Sequence, residues 1–155
     1  MIDIINVYKR LSRVPLGKHL VGKLISGKAP YFSTIKPIIT ELKPGTCTIE
    51  MRDRHSIHNH LGTIHAIAMC NLCELTMGMA LHPSMPEDLR WIAKGMNVRY
   101  LKKATGTLRG TCTVDIHNLR PGDLDIPISV KDTAGDTVAD ATITVYISSR
   151  KARDH

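Results

Sequence analysis

From Ile64 to Leu81 the sequence is apolar almost all round, through Ala66, Ile67, Ala68, Met69, Leu72, Leu75, Met77, Met79 and Leu81, and its only formal charge is Glu74. Taking a carboxylate out of water is costly unless a partner or a site compensates it. Glu74 is therefore the first candidate for chemistry, as base or nucleophile; the structural alternative is a pocket-rim acid or an ion pair with an arginine across an interface. Immediately upstream runs His58-Asn59-His60-Leu61-Gly62-Thr63-Ile64-His65-Ala66, which predicts Thr63 as N-cap of a helix whose first amides face outward. Such N–H groups, with the Asn59 amide beside them, suit the oxygen of a polarised carbonyl or an oxyanion. Ala66 and Glu74 stand eight residues apart, about 12 Å along a helix at about 1.5 Å per residue. One chain does not bring both to one carbonyl. Two such helices packed antiparallel about a two-fold axis do, and they create two equivalent composite sites.

Other constellations carry less. His55, His58, His60 and His65 fall within eleven residues, but no Cys or carboxylate joins them at a ligand-like spacing, so no metal is expected. Cys70-x-x-Cys73 lies inside the apolar helix without a βαβ context and reads as core packing. Met77, Met79, Met85 and Met96 read as core or as the lining of an apolar chamber.

The elements that position these residues belong to one domain. A chain of 155 residues with 43% hydrophobic and 23% charged residues buries a core without staples and excludes disorder and coiled coil. The net charge of +7 favours an anionic partner. Aromatics at 4% leave no stacking platform for single strands, so nucleic acid is not the expected one. The N-terminus lacks the apolar core and small-residue cleavage site of a secretory signal, and reduced thiols in a cytoplasmic protein are the expectation.

Along the chain, residues 1–30 read as a basic helical arm that Pro15 splits into two short helices, packed on the domain in preference to lying on a membrane. Residues 31–149 read as α+β. Ile35 to Leu42, and Cys47, Ile49 and Met51 beyond the Lys43-Pro44-Gly45-Thr46 turn, form a hairpin. The apolar segment, with no polar face, predicts a fully buried helix. Strands follow around Met96 to Tyr100, Leu108 to Ile116, Ile126 to Val130 and Ile143 to Ile147. About six antiparallel strands wrapped around one central helix are expected, and residues 150–155 are read as a frayed basic tail.

Asn59-x-x-Gly62-Thr63-x-His65 with an acid at position 74, and Met96-Asn97-Val98-Arg99-Tyr100-Leu101 before Lys102-Lys103-Ala104, resemble the hotdog-fold thioesterases of the phenylacetate-degradation type. The helical arm resembles a little-characterised, DUF4442-like branch of that superfamily. The resemblance implies a dimer or dimer of dimers that hydrolyses acyl-CoA thioesters, with coenzyme A entering as part of the substrate and no separate cofactor. It makes Glu74 the catalytic acid, the Ala66 N–H the oxyanion donor and Asn59 a neighbour of the reacting group; Gly62 and His65 complete the motif. Arg99, Lys102, Lys103 and Arg150 are the candidates for the coenzyme A phosphates. The chain differs from the family pattern in carrying Ala66-Ile67 for the usual Gly-Gly, Glu74 for a frequent Asp, and Ala93 where Ser or Thr is common. A noncatalytic acyl-CoA binding module is the alternative; a hydratase or dehydratase using His65 with Glu74 ranks below it.

Overall fold

A computed structural model describes residues 3–150. The arm forms helix α1 (Ile4–Leu11), started by the Asp3 carboxylate accepting from the Asn6 N–H at 3.1 Å, and helix α2 (Gly17–Lys28) beyond Pro15. Both pack on the domain. The Tyr8 hydroxyl donates to the Thr40 carbonyl at 2.7 Å, and Val21 is fully buried where α2 meets the first strand.

Six strands follow: β1 (Ile38–Lys43), β2 (Thr46–Met51), β3 (Leu89–Tyr100), β4 (Leu108–Thr113), β5 (Gly122–Lys131) and β6 (Thr137–Ser149). They make one antiparallel sheet in the order β1-β2-β4-β5-β6-β3. Helix α3 (Ala66–Leu81) runs between β2 and β3 in sequence and packs against β1, β2, β4, β5 and β6. Alternation explains the pairing. In β4, Leu108, Gly110 and Cys112 are buried while Arg109, Thr111 and Thr113 are exposed. Gly110 lets the helix approach: a Cβ there would stand 2.9 Å from the Thr76 Oγ1 and 3.1 Å from Leu72. No helix of the described residues is long and apolar enough to cross a membrane.

Several elements depart from the sequence expectation. Ile35 lies in a 3-10 turn, Pro30–Ile35, because Pro30 opens a helical turn and Lys36 at φ 44° redirects the chain before β1. Ile116 lies in the 3-10 turn Ile116–Asn118, which the Asp115 carboxylate caps by accepting from the His117 N–H at 3.1 Å. Strand β3 begins seven residues before Met96, at Leu89. A bulge at Lys94 hides its first half from any alternation test, because it shifts the phase by one residue. Trp91 and Ala93 before the bulge, and Met96, Val98 and Tyr100 after it, pair with the buried Ile147, Val145, Ile143, Ala141 and Ala139.

The central helix, expected to be fully buried, is not buried all round. The sheet covers Met69, Leu72, Cys73, Thr76 and Met77, yet Ile67 and Glu74 are exposed and Cys70 is half-buried. These three recur at helical spacing and form one open stripe. At the chain end, Arg150 is not frayed: its N–H donates to the Asp88 carbonyl at 2.7 Å and its Nε to the Leu89 carbonyl at 2.9 Å. The rest of the expected tail, 151–155, lies outside the described residues.

Candidate active site

Two hydrogen-bonded turns hold the head of α3. The Asn59 carbonyl accepts from the Gly62 N–H at 3.1 Å, and Gly62 takes φ 72° with open space around its Cβ position. A glycine is required there by conformation and not by room. The Asn59 side chain closes the same loop: its Oδ1 accepts from the Leu61 N–H at 2.9 Å and the Thr63 N–H at 3.2 Å, and its Nδ2 donates to the Thr63 Oγ1 at 2.9 Å. Asn59 and Gly62 therefore shape the approach to the helix.

Thr63, engaged in that loop, is not the N-cap. His65 is: its Nδ1 accepts from the Ile67 N–H at 3.0 Å, which requires a neutral ring with its proton on Nε2. The His65 carbonyl accepts from the Ala68 and Met69 amides at 3.0 and 3.3 Å. Ala66 is thus the one first-turn amide without a protein partner among the described residues, a donor aimed out of the helix end where the dipole favours negative charge.

From Ala66 the stripe of Ile67, Cys70 and Glu74 runs down the helix. Glu74 is exposed in the single chain, so no burial cost falls on its charge there: the sheet and the Pro30–Ile35 turn cover other faces of α3. Beside the stripe, the Tyr100 hydroxyl of β3 lies 3.1 Å from the Cys70 Sγ. Although Tyr100 is exposed overall, desolvation of its hydroxyl, and then the neighbouring thiol, push its pKa up to about 12. Sequence reasoning missed this contact, since the two residues are 30 positions apart. Its partner in the Cys-x-x-Cys spacing, Cys73, is buried in the core, and burial pushes its pKa up to about 12.

The basic residues divide. Arg99 forms a two-point ion pair with Asp140 at 2.8 and 2.6 Å, and Lys102 bridges Asp132 at 3.0 Å and Asp136 at 2.7 Å. Lys103 is exposed and has no carboxylate partner among the described residues. Two concavities lie away from α3, one of about 220 Å³ lined by Glu50, Thr107, Arg109, Lys131, Asp132 and Thr133, the other of about 520 Å³ beside Leu16, Thr40 and Arg52. Neither contains Asn59, Ala66 or Glu74.

Asp53 ties the loop before the helix to the loop after β3. One carboxylate oxygen pairs with the His58 Nε2, and the other accepts from the Gly106 N–H at 2.7 Å. The His58 bond, ahead of the Gly106 amide, holds the Asp53 carboxyl below its ordinary 3.8. A carboxylate depressed by folding stabilises fully above the unfolded value and ceases to do so as pH falls through the folded one. In an acid titration followed by amide NMR, the Gly106 resonance is expected to move with a midpoint below 3.8, and to stay still in Asp53→Asn. A midpoint at or above the ordinary value would show that the tie is absent.

The sequence pattern of the family Domain of unknown function (DUF4442) matches residues 17–147. No protein of curated function matches the sequence. Among solved structures, the protein known as genomics APC5556 is 33% identical over 97% of this chain and 100% of its own, with a TM-score of 0.83. PA5026 from Pseudomonas aeruginosa, described as a protein of unknown function and probable thioesterase, is 22% identical over 88% of this chain and 97% of its own, at a TM-score of 0.77. The thioesterase HI1161 from Haemophilus influenzae is 16% identical over 87% of this chain and 92% of its own, at a TM-score of 0.73. The sheet wound around a central helix is the hotdog fold of these neighbours.

Proposed function

The chain belongs to the DUF4442 family, and we propose that it is an acyl-CoA thioesterase of the phenylacetate-degradation type, acting as a two-fold dimer. The observation that carries this reading is the unpartnered Ala66 N–H heading an open stripe that ends at Glu74. The hotdog fold shared with PA5026 and HI1161 supports it. The open stripe and the edge strand β3 are the surfaces a second copy covers. Among the described residues no strand pairs beyond β3, and Ile92, Tyr100 and Leu101 are exposed at this edge. Pairing β3 with β3 satisfies its free backbone groups and lays the two central helices side by side.

In that dimer the thioester carbonyl accepts from the Ala66 N–H of one copy, and Glu74 of the other attacks the carbonyl carbon or takes a proton from water that attacks it. Either way the carbon–sulfur bond breaks and coenzyme A leaves as its thiol after taking up a proton; attack by water gives the acid at once, whereas attack by Glu74 leaves an acyl–Glu74 anhydride that water then hydrolyses to the acid and the free carboxylate. Asn59, Gly62 and His65 position the donor. Lys103 holds a coenzyme A phosphate directly, while Arg99 and Lys102 join it by exchanging their carboxylate partners for phosphate.

The test is thiol release from a panel of fatty and aromatic acyl-CoAs, with binding measured in parallel by calorimetry. Turnover of one class is the expected outcome. Binding without turnover would leave the noncatalytic module, and the absence of both would overturn the reading.

A further inference from the structure

Helix α2 turns the usual pattern of a surface helix inside out. Its buried side carries Gly17, Val21, Gly22 and Ser26, and its exposed residues Leu20, Lys23, Leu24, Gly27 and Lys28 recur at three- and four-residue spacing, so they share one face. Leu16 extends this line by one turn. It is 77% exposed at φ 62°, a left-handed conformation costly for a leucine, and Val14 next to it is 51% exposed. The fold thus spends conformational strain to present an apolar side chain to the outside.

The charge around these leucines is mostly basic; the one acid beside Val14 and Leu16, Glu50, is paired with Arg109 at 2.8 Å. Arg13, Lys23 and Lys28 are exposed among them, and from Ile4 to Thr40 the sequence has seven Lys or Arg and no acid. The flanking acids are engaged, Asp3 in capping α1 and Glu41 with Lys43 at 2.8 Å. We infer that the exposed face of α2, with Val14 and Leu16, docks on an anionic bilayer surface.

Charge complementarity selects that occupant. A second copy would bring cations against cations, whereas acidic headgroups neutralise them and let the leucines sink to the acyl boundary. Lysine stems reach back from that depth to the headgroups. At 12 residues, about 18 Å long, α2 lies in the interface and does not span it. Because α2 packs on β1, at the opposite edge of the sheet from β3, docking leaves the proposed dimer contact free. It also stands or falls independently of the thioesterase reading.

The test is sedimentation of the full chain with phosphatidylcholine vesicles, with or without phosphatidylglycerol, at low and raised salt. Binding is expected to the anionic vesicles and to weaken as salt rises. Leu20→Ser with Leu24→Ser, and separately Lys23→Glu with Lys28→Glu, each lower it by about tenfold or more. All four positions are exposed, so the fold is expected to persist with at most a small loss of helix stability, which circular dichroism and melting check. No binding to anionic vesicles at low salt would overturn the inference, and so would binding that the serine variant leaves unchanged. A concentration-dependent mass that the serine variant abolishes, without vesicle binding, would assign the face to contact between copies and overturn it equally.

Discussion

Glu74→Gln is expected to hydrolyse acyl-CoA about 10²-fold or more slowly than the native chain, the usual scale of a lost general base. Glutamine keeps the length of the side chain and a helix propensity close to that of glutamate, and position 74 is exposed in the single chain. Fold and melting temperature are therefore expected to be unchanged, and KM to move little, since the loss falls on the transition state. Steady-state thiol release checks the rate and light scattering checks the dimer. A native rate would make Glu74 a structural acid and leave acyl-CoA binding as the function.

The second large effect is expected from Ala66→Pro. Proline at the first position of a helix removes only an amide that has no intrahelical partner, and its φ suits the site. The residue before a proline is confined to extended conformations; His65 already sits at φ −64°, ψ 138°. The substitution thus deletes one N–H and leaves the helix in place, with an expected fall in kcat of about 10²- to 10³-fold. Mixing the two variants during refolding tests the composite site. A heterodimer with Glu74 from one chain and the Ala66 N–H from the other holds one intact site of two, so activity returns to roughly a quarter of the native level for random pairing. If both groups acted within one chain, mixing would restore nothing.

What the sequence makes legible follows the range of the interaction. Strand β4 and helix α3 are readable because alternation and apolar run are local, and the burial of Leu108, Gly110 and Cys112 follows them. The first half of β3 is not, because one bulged lysine cancels the period. Hydropathy finds α3 but cannot say whether Ile67, Cys70 and Glu74 face the sheet or another molecule, since both surroundings accept apolar residues. Thr63 and His65 both have acceptors for an N-cap; Asn59 decides between them by engaging Thr63. The acid that engages Arg99 lies 41 positions downstream, and the farther of the two that engage Lys102 lies 34 downstream, beyond any local pattern.

The strand order has a consequence for how the chain reaches this state. Strand β3 follows α3 directly, yet its sheet neighbour is β6, with Leu89 paired to Ser149 and Tyr100 to Ala139. During synthesis β3 emerges well before the strand that pairs with it, and loop closure over such separations is slow. The local β5–β6 hairpin, turned at Asp132 and Gly135, can form as soon as it is made and then recruit β3 as its last edge. Until that step a growing chain carries β3 as an unpaired strand, open to association with other nascent chains.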